Sequence, residues 1–310
     1  HLISLKRIEK EYQLTPFELV LASAFAHFAN QNVQLLVLEV GLGGRLDATT
    51  AHPFRPVIAM GNIGLDHCEH LGNSLKDIAK EKAAVISSGS RVISAAQQSV
   101  VTDVLEETIQ TKAAQIQWVS PLSEDWNLGI SGEIQRTNAA VAKGALKSLE
   151  KFGWEIDELT IKEGLALADW PGRLQLASWQ EFPVVIDGAH NSPAAKQLSR
   201  ERSNWKGEGM GVQWILGIQH HKQAPEMLRH LLTRTCDKAW IIPVPNHKSW
   251  TNPELSDACP ELANQLLQAN EVEQVFSTLL KEGPWPTPPP VVVGSLYLIG
   301  DLMKKQIIRN

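Results

Sequence analysis

The sequence predicts an α/β protein of two domains, on three observations. Short apolar runs recur along the chain with helix-patterned segments between them, as expected for strands alternating with helices in parallel sheets. Two of these runs carry a carboxylate at or near their end and lead into glycine, V-L-E-V-G-L-G-G at 37–44 and I-D-G-A-H-N at 186–191. The third observation is size. A chain of 310 residues, 43% hydrophobic and 20% charged, holds enough apolar mass for two cores, at roughly 150 residues per domain.

Thr15 caps the first predicted helix, which has Pro16 at its first position and Glu18 as capping-box partner and runs to about residue 30. Residues 33–40 are apolar apart from Gln34 and Glu39 and predict a strand buried on both faces. A loop leads to a short strand at 56–60. Ser74 opens a helix over 74–86 that carries Asp77, Glu81 and Lys82. A strand at 91–95 and a helix at 99–112 follow, then a polar stretch at 121–136 and a helix over about 137–152. After a short helix at 158–167, Pro171 and Gly172 interrupt the pattern within W-P-G-R-L-Q. The predicted boundary falls there, giving domains 1–172 and 173–310. The alternation then restarts with a strand at 182–187, a helix near 192–200, a strand at 212–217 and a helix at 223–233. A strand at 239–244, a helix at 253–269, a Pro-rich loop at 283–290 and a strand at 290–295 complete it, predicting a second parallel sheet with helices on both faces.

The bulk chemistry excludes several classes. A net charge of −5 and a pI near 6.1 argue against a nucleic-acid binder, which carries a basic excess. Cys68, Cys236 and Cys259 are too few and scattered for a disulfide framework and fit a reducing compartment. No run approaches the roughly 18 apolar residues of a membrane span, and no signal peptide is present. The chain begins with His1 rather than Met, so it reads as incomplete at that end. No Gly-Lys dipeptide occurs, hence no G-x-x-x-x-G-K-[ST] loop to hold a triphosphate. The glycine turn also lacks the G-x-G-x-x-G order, which removes the support for a nicotinamide-dependent dehydrogenase.

Three polar clusters fall at or beyond predicted strand ends in the first half, where open parallel sheets place ligands. They are Glu39 with Gly41, Gly43, Gly44, Arg45 and Asp47, then N-I-G-L-D-H-C-E-H-L-G at 62–72, and I-A-K-E-K-A at 78–83. A carboxylate near the end of a buried strand is costly unless a cation meets it, and the glycines let backbone approach a ligand. This combination describes a metal–nucleotide site. His67, Cys68 and His70 invite a zinc reading, but H-C-E-H is one residue short of H-x-x-E-H and no second pair lies at zinc-ribbon spacing. At the level of residues alone, a strand-end histidine that is only hydrogen-bonded and a glycine loop without chemistry stay open. In the second half, I-D-G-A-H-N-S-P-A at 186–194 places Gly, His and Asn at the start of a helix, whose N-terminus favours anionic groups. It reads equally as a strand-to-helix turn capped by Asn191 or Ser192.

Taken together, V-L-E-V-G-L-G-G-R-L-D-A-T-T, I-G-L-D-H with L-G-N-S-L and I-A-K-E-K-A, P-G-R-L-Q, D-G-A-H-N and G-S-L-Y-L-I-G resemble the folylpolyglutamate synthase/dihydrofolate synthase family of the Mur ligase superfamily. The matching segments run in order from about residue 15 to 306. The resemblance implies a Mur-ligase-like central ATPase domain, N-terminally truncated here, followed by a Rossmann-like C-terminal domain, with the active site between them. It implies ATP and two Mg²⁺ ions as cofactors. Glu39 and His67 match metal ligands, and Lys82 matches a lysine whose carbamate helps hold the second ion. Asn138 matches a residue near the nucleotide base, Arg173 and Asp187 a pair that contacts ATP, and His190 a residue near the phosphates or the incoming glutamate. Asp47 and Ser295 are candidate substrate contacts. The implied reaction joins L-glutamate to dihydropteroate or a folate through an acyl phosphate, in a cytoplasmic monomer serving folate biosynthesis and one-carbon metabolism.

The chain departs from the pattern where members carry a G-T-N-G-K-G-S loop and a segment ending near S-P-H-L. His1-Leu2 reads as the end of that segment, and the spacing from Ser4 to Thr15 is short. The expectation is that the phosphate loop and an inner strand are absent, leaving an unpaired sheet edge. At 217–222 the chain reads G-I-Q-H-H-K, with no acidic residue near the lysine. Two readings follow: a fragment of an active ligase, or a degenerate non-catalytic protein that binds folate or a partner. Retention of Glu39, His67, Lys82, Arg173, Asp187 and His190 favours the first.

Overall fold

The computed structural model describes residues 11–309; the readings of His1-Leu2 and of most of the Ser4–Thr15 spacing lie outside them. The chain divides into two compact units. One comprises the residues up to Val119 together with Gly144–Trp154, and the other comprises Ser120–Lys143 with everything from Glu155 onward.

In the first unit, α1 (Pro16–Asn30) starts as its sequence dictates. The Thr15 hydroxyl accepts from the Glu18 amide, and Glu18 returns its carboxylate to the Thr15 amide at 2.8 Å. Three parallel strands, β1 (Val57–Met60), β2 (Arg91–Ala95) and β3 (Gln115–Val119), form a sheet in that order. A one-turn helix α2 (Cys68–Leu71), α3 (Leu75–Ala83) and α4 (Ser99–Thr111) complete its local packing. Ile58, Met60, Ile63, Ile78, Ile86, Val92, Val101 and Leu105 close the core beneath them.

The strand expected at 33–40 does not form. These residues pair with no strand, and Val37 is 88% exposed. An apolar run becomes a buried strand only when neighbours bond its backbone and cover both faces. Here β1 pairs with β2 alone, so its other edge has no partner among the described residues. The sequence reading also passed over β3, whose alternation is too weakly apolar to stand out.

The helix α5 (Glu133–Ser148) and α6 (Glu158–Leu167) match expectation closely, α5 starting one turn earlier than the sequence suggests. The second unit is built on six strands in the order β4-β5-β9-β6-β7-β8. They are β4 (Gln175–Trp179), β5 (Phe182–Asp187), β6 (Gln213–Leu216), β7 (Lys238–Ile241), β8 (Leu266–Gln268) and β9 (Val291–Val293). All neighbours are parallel except β4, which runs antiparallel to β5 at one edge, so the sheet is mixed rather than wholly parallel. Its helices are α7 (Ser192–Glu201), α8 (Ala224–Leu231), α9 (Asn252–Ala258), α10 (Val272–Glu282) and α11 (Leu296–Lys304). The long helix expected over 253–269 is instead α9, a 3-10 turn and β8. Pro260 explains the break, because proline disfavours helical backbone at the preceding residue, Cys259.

The central strands are buried on both faces by alternation. Trp214, Leu216, Val291 and Val293 enter one core with Met227 and Leu228, while Ile215, Val292, Val184 and Ile186 enter the other with Phe276 and Leu279. One ion pair lies inside this unit. The Arg202 guanidinium, 5% exposed, binds both oxygens of Asp237, 0% exposed, at 2.6 and 2.7 Å. Asp237 also accepts from the amides of Val212 and Arg234. No helix among the described residues is long and apolar enough to cross a membrane.

Replacing Asp237 by Asn would strand the buried guanidinium beside a neutral partner. The expected loss is about 3–5 kcal/mol of unfolding free energy, as for other broken buried pairs, read from urea denaturation at neutral pH. A loss well under that range would show that the pair is not a structural anchor.

Candidate functional site

In the first unit the three polar clusters meet. Gly44 lies so close to α3 that an added Cβ would stand 2.7 Å from the Glu81 carbonyl oxygen and 2.7 Å from Val85 Cγ1. Gly43, at φ +70°, packs its backbone on Leu71, which ends α2. Arg45 Nε donates to Glu81 Oε1 at 2.8 Å. The glycine turn therefore rests directly on the helix that carries Lys82, and only glycine fits that contact.

Asp47 closes the same turn. Its Oδ2 accepts from the Leu42 amide at 2.8 Å, and its Oδ1 accepts from the Thr49 amide at 2.9 Å and the Thr49 hydroxyl at 2.5 Å. Burial alone would raise this carboxyl, but the Thr49 hydroxyl and the amides of Leu42, Thr49 and Gly41 outweigh it and hold it below the ordinary range. Both oxygens of this candidate substrate contact are thus occupied by the loop.

No hydrogen bond or ion pair joins the metal candidates Glu39, His67 and Lys82 among the described residues. Glu39 is exposed on the unpaired 33–40 segment. His67, held at φ +51° before α2, faces Asp66 at 3.8 Å and Glu69 at 4.0 Å. Lys82 is half-buried on α3. No group of three His, Cys, Asp or Glu side chains that could hold a metal ion occurs among the described residues.

The second unit presents the better-formed site, at the C-terminal ends of its parallel strands. Asp187 ends β5 and is half-buried. Its Oδ2 accepts from the Leu174 amide and its Oδ1 from the Ala189 amide, each at 2.8 Å. These bonds join the P-G-R-L turn, with Gly172 at φ +73° and Leu174 at φ +45°, to the D-G-A-H-N turn. The Gly188 amide donates to the Gly172 carbonyl at 2.7 Å as well. Burial pushes the Asp187 carboxyl upward, opposed by the two amides and by the Arg173 charge, with Glu201 adding to the rise.

The G-S-L-Y-L-I-G segment joins the same place. An added Cβ on Gly188 would stand 2.4 Å from Leu296 Cδ2, and one on Gly172 3.4 Å from Ile299 Cδ1. Ser295 is buried, and its hydroxyl accepts from the Tyr297 amide to cap α11. Its position is thus that of a helix cap beside the site. His190 sets its Nδ1 2.8 Å from the Gly188 carbonyl oxygen, and Asn191 caps α7 through the Ala194 amide at 2.9 Å. Arg173 is exposed on its turn, and Asn138 is exposed on α5, donating to Gln135 Oε1 at 3.0 Å. An exposed cation, an imidazole and a capped helix start around one braced turn suit an anionic ligand.

The sequence reading missed Glu201, the last residue of α7 and almost fully buried. Its Oε1 accepts from the Glu133 amide at 2.8 Å, at the start of α5. Only its place in the amphipathic pattern of α7 hinted that a charged side chain pointed inward.

Two α/β units, with a glycine turn packed on α3 in one and a braced P-G-R turn ahead of the sheet in the other, match the Mur-ligase-like architecture that the resemblance implies. The family profile described as "Dihydrofolate synthetase, C-terminal domain" matches residues 173–305. The chain is 31% identical to dihydrofolate synthetase of Saccharomyces cerevisiae, over 97% of this chain and 78% of that protein. It is 28% identical to dihydrofolate synthase/folylpolyglutamate synthase of Bacillus subtilis, over 96% of this chain and 74% of that protein. Among solved structures, Mycobacterium tuberculosis folylpolyglutamate synthase complexed with ADP and AMPPCP superimposes with a TM-score of 0.84 at 23% identity, over 99% of this chain and 76% of that one. Escherichia coli FolC in complex with DHPP and ADP gives 0.78 at 26% identity, over 94% and 71%. The chain belongs to the dihydrofolate synthase/folylpolyglutamate synthase family.

The depressed Asp47 carboxyl sets a pH dependence. A carboxyl lowered in the folded state contributes stability that is present above about pH 4 and is lost as pH falls through its folded value. Asp47→Asn should therefore cost about 1–3 kcal/mol at neutral pH, and the gap to the unsubstituted protein should narrow in urea denaturation run toward acid. A gap constant across the series would overturn this account of the turn.

Proposed function

We propose that this chain is the body of an ATP-dependent ligase that joins L-glutamate to dihydropteroate, to folates, or to both. The observation that carries the reading is the Asp187 carboxylate, which bolts the Arg173 turn to the His190 turn. In chemical terms the acceptor's carboxylate attacks the γ-phosphate of ATP, giving an acyl phosphate and ADP. The amine of glutamate then attacks the acyl carbon and inorganic phosphate leaves. Both steps pass through crowded anions, so fixed cations and helix starts are the tools required, and no covalent enzyme nucleophile is.

Each residue has a task in this scheme. Asn138 meets the base. Arg173 meets the phosphates from a turn that Asp187 holds in place. His190, oriented through its Nδ1 by the Gly188 carbonyl, faces the phosphates or the incoming glutamate with its other nitrogen. The glycine turn and α3 carry Lys82, the position at which the family resemblance implies a carbamate. Glu39 and His67 are the positions at which the resemblance implies Mg²⁺ ligands. The ligase acts in this reading as a cytoplasmic monomer without nucleic-acid or membrane partners.

A second reading, a folate- or partner-binding protein of the same fold without turnover, is favoured by one observation: Glu39 and its segment stand outside any sheet. One assay separates the two. Glutamate-dependent ADP release from Mg-ATP is measured with dihydropteroate and with tetrahydrofolate as acceptor. It is run on the 310-residue chain and on that chain fused behind a unit carrying a G-x-x-x-x-G-K-[ST] loop. Release requiring both acceptor and glutamate, in either form, is the expected outcome. Acceptor binding with no ADP release from either form would leave the fold and remove the ligase.

A further inference from the structure

We infer that Glu201 is a positioning residue of the nucleotide site, a buried carboxylate that fixes the start of α5, and with it Asn138, against the turn bearing Arg173. The inference rests on the ligase reading and adds a residue to the same site.

Glutamate is rarely buried without a dedicated partner, and Glu201 is only 4% exposed. Its partner is the Glu133 amide at 2.8 Å, one of the first amides of α5, which have no acceptor within their own helix. A carboxylate there satisfies a donor and meets the positive end of the helix dipole.

The surroundings show what this bond holds together. Gly132, at φ +113°, precedes α5; an added Cβ would stand 3.3 Å from Leu174 Cδ2 and 3.5 Å from Glu201 Oε1. The start of α5, the end of α7 and the residue after Arg173 therefore converge on one point. Leu174 in turn donates its amide to Asp187. Glu201 is also near enough for its charge to act on the Asp187 carboxyl. Its own backbone is anchored by the next residue, since Arg202 is clamped onto Asp237. A shift of α7 at this end would have to break that pair.

The chemistry also divides the site. A helix start normally attracts phosphate, but here a carboxylate already occupies it and repels a second anion. The start of α5 is thereby reserved for a neutral group, which suits Asn138 to the base. The phosphates are left to Arg173 and the turn at Asp187–His190.

The test uses the full chain with ADP as the probe, by titration calorimetry well below the melting midpoint of each variant. Glu201→Ala should weaken ADP binding about tenfold, a change of about 1.4 kcal/mol. Glu201→Gln should recover most of it, because its amide oxygen can still accept from Glu133. In whichever form turns over, KM for ATP should rise in Glu201→Ala with kcat nearly unchanged. A Glu201→Ala protein that melts earlier yet binds ADP as tightly as the unsubstituted chain would reduce Glu201 to a structural cap and overturn the inference. If Glu201→Ala does not fold, Glu201→Asp, which keeps the charge but shortens the reach, is read in the same way. Failure of the unsubstituted chain to bind ADP would instead strike at the ligase reading.

Discussion

The organisation of the second unit depends on one carboxylate. Asp187 stands at the end of an inner strand, where an isolated charge would be costly, and it is retained because two backbone amides and a nearby arginine meet it. Those amides belong to different turns, one ahead of β4 and one leading into α7. Two loops that would otherwise fluctuate independently are thereby reduced to a single body. With both oxygens engaged, Asp187 acts as a brace, and the groups free to meet a ligand are those it holds in place. Arg173 can point outward because its neighbour Leu174 is tied inward.

The brace works because the elements beneath it do not yield. The central strands are buried on both faces, and such cores respond poorly to small displacements. The Arg202–Asp237 pair fixes the far end of α7 from inside the fold. Close backbone contacts do the remaining positioning. Gly188 accepts Leu296 at a distance no side chain would permit, and Gly44 does the same against α3 in the other unit. In each case glycine is required by proximity as much as by its backbone angle.

The sequence made legible those features that arise from local rules. The capping box at Thr15, the caps at Ser74 and Asn191, and the apolar strands β2, β5, β6 and β9 all follow from neighbours within a few residues. The expectation for 33–40 failed because a strand is a relation between segments, and composition cannot report whether a partner is there. The helix expected over 253–269 is cut short because Pro260 disfavours helical backbone at Cys259. By contrast α10 was readable and was overlooked: Val272, Val275, Phe276 and Leu279 follow helical spacing and are all buried. Of the site residues, Asp187 and His190 stand out because they flank a glycine at the end of an apolar run, whereas Arg173 is named only by the family resemblance. Glu201 does not stand out, since its role arises from a contact with Glu133 that lies far away in sequence.

The two strand-end carboxylates singled out by sequence meet opposite fates, and the contrast bears on how the molecule would act. Glu39 lies on an exposed segment with no sheet partner, while Asp187 is enclosed and fully engaged. A group that is already held loses little freedom when a ligand arrives, whereas one on an unpaired segment must be ordered at that moment. The turns around Arg173, Asp187 and His190 are therefore preorganised, whereas no hydrogen bond or ion pair holds the Glu39 side chain among the described residues. In the proposed ligase, nucleotide binding through the second unit is then separable from turnover that needs Glu39 to be fixed.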